Sequence, residues 1–485
     1  MYAKDLGSRE KFIIIAIAAI SLLAIILWYL LIGAGWDLIA HMLNAKSMMD
    51  LHLYHCMANP NCGIINGKRS FYYSTYFEPQ RAPMVSIMLM PLYLIFGDWS
   101  TLAYALLVFS CYLAAIYYIA KNFGISRIAA YAAMASPYFV LFLFVNGAEL
   151  LSLVFVIIAL AFLSRKSAYS GLFLGLAFVS KYTTMLLLPM LLLLIKPKKI
   201  ALAVILALVP SLPWIAFQLI FMHGALASYL MSIQLAADNF TYSGLSVKYL
   251  MVVISYPLLI LAAALILLRK HVLKVSRNLS LNLKKMLHSL KTKTETNTRV
   301  HIWAIAAMFV ALSIIEYAIL INSAPFAQAR LGYLLAFSLS LFVALAFTYA
   351  LRNRKDARKI EVGFGFAFII FLVLCYAFFV INANADKVYS VRNVNITDSV
   401  AKLYELGYGG CRVVSNDWIY LLYYGVNAFP QYYPNSTNMQ YPIIVFYNAS
   451  ALTSNASIQG INSSSVVYSS KSFSIMLPKG YKCYK

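Results

Sequence analysis

Ten long apolar runs punctuate the chain, at about residues 12–33, 101–120, 127–145, 148–164, 169–195, 200–222, 247–268, 301–321, 331–350 and 361–381. A helix needs about 20 apolar residues to cross a hydrocarbon core, so the runs read as membrane spans. The run 169–195 is long and is interrupted by Lys181. It reads as two short helices meeting at that lysine, which makes eleven spans. A further run, 83–97, has 15 residues and carries Pro83 and Pro91. That is short for a span, and the segment is expected to be re-entrant or to lie at the interface. The first run has 22 residues, beyond the 7–15 of a signal-peptide core, and reads as a retained anchor.

After residue 381 the pattern changes. Residues 398–407 have helical spacing, and Val413-Val414, 442–447 and 472–477 read as strands. The fold expected is an all-α polytopic membrane protein of about eleven transmembrane helices, residues 1–381, with a small extracytoplasmic α/β domain, residues 382–485. No internal repeat is apparent, which counts against the inverted-repeat transporters.

Composition agrees with this pattern. The chain is 62% hydrophobic and 11% charged, against roughly 25% charged in soluble domains. A soluble enzyme and a disordered chain are both excluded. Tyr, Phe and Trp make up 15% and suit interfacial belts. A net charge of +23 would point to nucleic acid in a soluble chain; here it points to cytoplasmic loops against anionic lipid, and no nucleic-acid partner is expected. With the N-terminus inside, the clusters Lys4/Arg9/Lys11, Lys121/Arg127, Arg165/Lys166, Lys196/Lys198/Lys199, nine in 269–300 and five in 351–360 all face the cytoplasm. They hold 24 of the 39 Lys and Arg. The first outer loop is then 34–82, the basic loop 269–300 is cytoplasmic, and the C-terminal segment lies outside. A full span at 83–97 would flip every later cluster and break the positive-inside rule.

Cysteines and sequons fit this sidedness. Cys111 and Cys375 fall inside spans; Cys56 with Cys62, and Cys411 with Cys483, fall outside and suggest an oxidising compartment. Asn-x-Ser/Thr occurs outside at Asn239, Asn395, Asn435, Asn448, Asn455 and Asn462, and once inside at Asn278.

With only sixteen acids, those expected near the outer face are informative. Asp37 follows the first span, Glu78 precedes the 83–97 segment, and Glu149 lies between the third and fourth spans. Lys181 at its helix junction and Arg330 at the start of a later span join them. Cations and carboxylates at a membrane surface suit a phosphate-linked substrate, the cations holding phosphate and one carboxylate taking a proton. Lys181 strengthens this reading, because an intramembrane charge is costly without a partner. His41 is four residues from Asp37 and shares its helical face; it could orient the carboxylate or bind a metal, but a polar residue on an interfacial helix is the simpler account. His52 and His55 beside Cys56 and Cys62 fit no standard zinc spacing.

The order of features resembles a known superfamily. Tyr76-Phe77-Glu78-Pro79 leads into Ala82-Pro83-Met84, and an apolar run ends in Leu94-Ile95-Phe96-Gly97. Further on stand Gly171-Leu172-Phe173-Leu174-Gly175-Leu176-Ala177-Phe178-Val179-Ser180-Lys181-Tyr182 and Arg330-Leu331-Gly332-Tyr333. Together these resemble the integral-membrane GT-C glycosyltransferases, in particular the branch of protein O-mannosyltransferases and lipid A aminoarabinose transferases. The resemblance covers most of residues 12–350 in layout, and its motifs are short. It implies a catalytic or positioning role for Asp37. Phe77-Glu78-Pro79 matches a Phe-Glu-Lys-Pro motif without its lysine, a cation that Arg81 could supply. Glu149 matches an acid of the later outer loop, Lys181 a lysine on the lipid phosphate, and Arg330 a basic residue nearby. Leu38 stands where many relatives have a second acid, so the likeness is to the wider superfamily.

The function expected is transfer of a sugar from a polyprenyl-phosphate carrier to a lipid, glycan or protein hydroxyl on the outer face. Asp37 would be the base. Lys181, Arg330 and Arg81 would hold phosphate, and Glu78 and Glu149 would position the acceptor. A divalent cation on Asp37, Glu78, Glu149 or His41 is left open. The alternative is a transporter or lipid flippase, for which Lys181 and an intramembrane Glu316 would also serve. Sidedness is testable: cysteine probes in 285–295 should label only from the cytoplasm and those in 455–465 only from outside. Labelling of both from one face overturns the topology.

Overall fold

The computed structural model describes residues 7–49, 63–65, 68–70, 81–139, 147–221, 224–238, 247–267, 298–323, 332–352, 354–381, 394–411, 413–415, 417–426, 428–430, 443–447, 464–470 and 472–478. Glu78, Arg330, His52, His55, Cys56, Cys62, Cys483 and most of the loop 269–300 lie outside the described residues.

Helices dominate. The chain begins with α1 (Ser8–Leu31), α2 (Trp36–Met49) and α3 (Met84–Phe96). A 3-10 turn at Gly97–Trp99 joins α3 to α4 (Ser100–Phe123), and α5 (Arg127–Met134) and α6 (Ala148–Leu163) follow. Next come α7 (Tyr169–Ser180), a 3-10 segment (Tyr182–Leu187), α8 (Pro189–Leu194), α9 (Pro197–Leu208), α10 (Leu212–Phe221) and α11 (Ala227–Asp238). The helices α12 (Val247–Leu267), α13 (Thr298–Ser323), α14 (Tyr333–Leu351) and α15 (Ala357–Ile381) complete the apolar part.

Among the described residues, six stretches are long and apolar enough to cross a bilayer: Ser8–Leu31, Met84–Phe123, Pro197–Ile220, His301–Leu320, Tyr333–Leu351 and Ala357–Ile381. The chain is therefore a helical membrane protein. Four shorter apolar stretches, Ala148–Leu163, Tyr169–Ser180, Tyr182–Leu194 and Leu250–Ala263, fall on the expected runs 148–164, 169–195 and 247–268. Over 127–145 the helix stops at Met134, ahead of Ser136-Pro137. The residue before a proline is pushed out of the helical region, so this run is not one continuous helix.

The segment 83–97 is α3, which packs against α2 and α4. Leu94, Ile95 and Phe96 are exposed at its end. The backbone then turns at Gly97, whose φ of +53° favours glycine.

Helix packing depends on small residues where axes meet. On α1, Ile13, Ile17 and Ser21 recur at four-residue spacing and are buried with Ala24, Ile25 and Tyr29. This face meets α15 at Gly365, where an added Cβ would lie 2.8 Å from Ile13 Cγ2 and 3.0 Å from Ile128 Cγ2. A close approach joins α7 to α9. A Cβ on Gly171 would run into the Ala203 carbonyl oxygen, and one on Gly175 into that of Ala207. Glycines four apart on one face let the backbones touch, as in the small-xxx-small crossings of membrane helices.

The C-terminal residues supply α16 (Val394–Glu405) and α17 (Trp418–Tyr423). Two short strands before α3, β1 (Gly63–Ile65) and β2 (Lys68–Ser70), form an antiparallel pair. The later strands are β3 (Val413–Ser415), β4 (Ala428–Pro430), β5 (Ile443–Tyr447), β6 (Ser464–Ser469) and β7 (Phe473–Pro478). They form one sheet in the order β4-β3-β5-β7-β6. β3 is parallel to both β4 and β5, while β7 is antiparallel to β5 and β6. Helix α17 is the crossover between β3 and β4, as parallel neighbours require. Val413, Val445, Phe473 and Ile475 are buried. Cys411 is disulfide-bonded, whereas Cys111 and Cys375 are free thiols.

The α7–α9 contact yields a prediction. Gly171→Val or Gly175→Val must separate the two backbones. Each is expected to lower the thermal midpoint of detergent-solubilised protein, by about 1–3 kcal/mol of overpacking cost. Unchanged midpoints would show that the helices do not cross at these glycines.

Candidate functional site

Four distant segments bring charges together beside α2. Asp37 is the second residue of α2, immediately after the turn that ends α1. Arg81 lies three residues before α3. Its Nη1 donates to Asp37 Oδ1 at 2.7 Å, and both side chains are largely buried. Glu149 stands in the first turn of α6, where a carboxylate suits the helix dipole. Lys181 follows the last residue of α7, and its Nζ donates to Glu149 Oε1 at 2.7 Å. Since α6 and α7 pack together as consecutive helices, the start of one meets the end of the other, and the pair closes that hairpin.

Local backbone explains both positions. Lys181 breaks the apolar run at the expected place: helix α7 stops and the residue is extended, with φ −157° and ψ 114°. The chain resumes as the 3-10 segment, which directs the ammonium out of the helical row and toward α6 and α14. There Nζ lies 4.7 Å from the centre of the Tyr333 ring, a cation–π contact that adds to the ion pair in a dry setting. The Tyr333 hydroxyl is hydrogen-bonded to Ser152 Oγ at 3.1 Å. Glu149 is placed by Gly147, whose φ is +64°. A Cβ there would sit 2.9 Å from Leu38 Cδ1 and near Tyr104 and Val85, and the Tyr104 hydroxyl donates to the Gly147 carbonyl at 2.7 Å. Glycine at this point lets α6 begin directly against α2.

The two ion pairs are neighbours. Leu38 beside Asp37 meets Gly147, two residues from Glu149. On the other side Tyr182, next to Lys181, holds its hydroxyl 3.5 Å from the Arg81 carbonyl oxygen. That hydroxyl accepts from Trp214 Nε1 at 3.1 Å and shares a 2.7 Å hydrogen bond with Ser228. Tyr182 thus ties Lys181 and Arg81 to α10 and α11. Nothing in the sequence pointed to Tyr182 beyond its place after the lysine, and Gly147 was legible only as a glycine two residues ahead of an acid.

His41 is buried, and its Nδ1 is hydrogen-bonded to Ser86 Oγ of α3 at 3.1 Å. Among the described residues no three His, Cys, Asp or Glu side chains form a group that could hold a metal ion. Asp37 and Glu149 each face a cation and His41 faces a hydroxyl. The other two residues expected here, Glu78 and Arg330, lie outside the described residues.

Glu316 also belongs to this neighbourhood. It lies on α13, is 1% exposed, and the charges of Lys181 and Glu149 reach it.

The C-terminal sheet approaches the same region. Trp36, preceding Asp37, makes edge contacts with Trp418 and Tyr420 of α17, at ring-centre distances of 6.1 and 5.4 Å. Lys46 of α2 sits between Tyr93 of α3 and Tyr423 of α17. Beside this contact Asp417 is buried, and burial pushes its carboxyl up to about 7.

A carboxyl raised in the folded state favours folding when protonated. Its stabilising contribution is complete below pH 4 and fades as pH rises through about 7. Asp417→Asn is therefore expected to raise the thermal midpoint at pH 8 and to change it little at pH 4. An equal shift at both values would show that the carboxyl does not titrate with folding.

Comparisons with protein-family models, with curated proteins and with solved structures each return no match.

Proposed function

We propose that this chain is a membrane glycosyltransferase that moves a sugar from a polyprenyl-phosphate carrier to an acceptor hydroxyl at the outer face. The observation that carries the reading is the pair of adjoining buried ion pairs, Asp37–Arg81 and Glu149–Lys181, drawn from four segments to the end of an apolar bundle. The finer topology belongs to the same proposal: eleven spans, a cytoplasmic N-terminus and an extracytoplasmic C-terminal domain.

The chemistry follows from the donors. Arg81 donates to Asp37 from a five-donor guanidinium, and Lys181 donates to Glu149 from a three-donor ammonium. Both cations are proposed to meet phosphate oxygens, and charge-assisted contacts of this kind are strong in a dry site. Arg330 is proposed as a third. The sugar's anomeric carbon–oxygen bond to phosphate breaks, and the carrier phosphate leaves with the electron pair. The acceptor oxygen bonds to the anomeric carbon and its proton passes to the Asp37 carboxylate. Arg81, paired with Oδ1, holds that carboxylate in orientation. Glu149 keeps Lys181 in place, and Glu78 is proposed to help seat the acceptor. Partners on this reading are the lipid carrier, an acceptor and the bilayer.

A transporter is the second reading, favoured by Glu316, because an acid inside a span commonly marks a translocation path. The measurement that separates the two is sugar transfer from radiolabelled polyprenyl-phosphate sugar by purified protein. Asp37→Asn keeps shape but removes the proton acceptor, and the rate should fall about 10²–10⁴-fold, with carrier affinity retained. Lys181→Met should weaken carrier binding instead. Transfer by Asp37→Asn at the wild-type rate overturns the assigned base, and no transfer by the wild type favours the transporter.

A further inference from the structure

The chain around Lys181 turns back on itself. Gly171 of α7 meets Ala203 of α9, and Gly175 meets Ala207. Contacts in that order make the two helices parallel, so α9 starts near the level at which α7 starts. A chain that climbs along α7 to Lys181 has therefore come back down by Lys196. Both arms are short. Helix α7 has 12 residues, a rise of about 18 Å. The return arm has six residues of 3-10 helix and six of α8, about 21 Å in all. A hydrocarbon core is about 30 Å thick, so neither arm crosses it. Both ends of the hairpin are basic: Arg165 is exposed before α7, and Lys196, Lys198 and Lys199 are exposed at the start of α9. Exposed cations of this kind hold chain ends at a membrane surface.

Two neighbouring helices show how deep the tip lies. Trp214 of α10 donates to the Tyr182 hydroxyl, which puts it level with the tip. From there the apolar stretch Pro197–Ile220 runs on for six residues, about 9 Å. Helix α13 climbs from the same basic end, where His301 Nε2 donates to the Leu163 carbonyl at 3.1 Å. On α13, Glu316 is reached by the charge of Lys181, and the stretch His301–Leu320 continues four residues past it, about 6 Å. Leu219, Ile220 and Ile319 in these extensions are exposed. Both helices thus carry exposed apolar side chains beyond the level of Lys181.

Backbone inside a bilayer has to be satisfied within the protein. At the tip it is. The Lys181 N–H donates to the Ala177 carbonyl, and the Lys181 carbonyl accepts from the Thr184 N–H and hydroxyl. The return arm lies at the edge of the bundle, with Met185, Leu192 and Leu193 exposed along it.

We propose that residues 168–196 are a re-entrant hairpin whose tip, Lys181, lies inside the apolar layer and takes its phosphate sideways from the bilayer, as the head of a lipid. The proposal rests on the carrier reading for its ligand and goes beyond it in fixing the depth of the site and the side of entry. Two of the eleven expected spans become half-spans. The sidedness of the others is unchanged, because the hairpin enters and leaves on one face. A water-borne phosphate has to shed its hydration and cross more than a helical turn of apolar side chains to reach the tip. A lipid phosphate already stands at the membrane surface and dips by that distance, its chains lying along the exposed return arm. Lys181 and Arg81 offset the cost of taking the charge below the surface.

The test uses full-length protein in phosphatidylcholine nanodiscs. Ile319→Cys and Leu219→Cys, each combined with Cys111→Ala and Cys375→Ala, carry a nitroxide label, and the parent lacking both added cysteines gives the background. Both positions are exposed and lie outside the ion pairs, and each provides the readout if the other variant does not fold. Both labels should be relaxed by oxygen, which concentrates in lipid, and not by a water-soluble nickel chelate. Polyprenyl phosphate should bind in the same nanodiscs, about tenfold more weakly to Lys181→Met, and excess inorganic phosphate should not displace it. Labels relaxed by nickel overturn the depth of the tip and leave the carrier reading standing. Displacement by inorganic phosphate overturns entry from the bilayer. Labels in lipid with no binding of polyprenyl phosphate overturn the entry route and the carrier reading together.

Discussion

A lysine between two apolar half-helices must find a counter-charge, and much of the arrangement follows from how Lys181 finds one. Desolvating an ammonium costs several kcal/mol, and breaking a buried pair by removing one partner costs about 3–5 kcal/mol. The ammonium can meet Glu149 only if α7 ends where it does, α6 starts where it does, and the intervening turn folds them side by side. The glycines at 171 and 175 let α7 lie against α9 without tilting the lysine away. Gly147 lets the acid begin its helix against α2 rather than one turn further out. The ion pair is thus the point at which several close backbone approaches have to agree.

The second pair depends on the first through covalent neighbours. Leu38 touches the glycine that places Glu149, and Tyr182 reaches the Arg81 backbone. Moving either charge pair disturbs the other. An arrangement of this kind resists positional error in either cation, because each is braced through the neighbours of the other. It also explains why α3, too short to be an ordinary span, is retained against α2: it carries Ser86 to His41 and fixes the chain just after Arg81.

How far the sequence reveals this varies by residue. The break at Lys181 is legible because one charge interrupts a long apolar run. The strands around Val413, Ile443 and Phe473 are legible from short β-branched and aromatic runs between polar stretches. The early end of α5 was also signalled, by Pro137, and the apolar count over 127–145 obscured it. The partners of the charges are not legible. Asp37 finds Arg81 across 44 positions and Lys181 finds Glu149 across 32, and no local periodicity records which helices will be neighbours. Charge asymmetry leads to the expectation that Asp37, Glu149 and Lys181 share one face, but it assigns no contacts. Helix α17 and its contact with Trp36 leave no trace in the pattern, since six residues with three aromatics read equally well as a strand.

The contact between Trp36 and α17 joins the first helix after the opening span to a helix that follows the last one. During synthesis α2 emerges early, with Asp37 at its start, and the two rings that meet its tryptophan edge-on, Trp418 and Tyr420, are made only much later. The surroundings of Asp37 are therefore completed late. A chain stalled or truncated after α15 has its spans in place but leaves an indole and the edge of α2 uncovered.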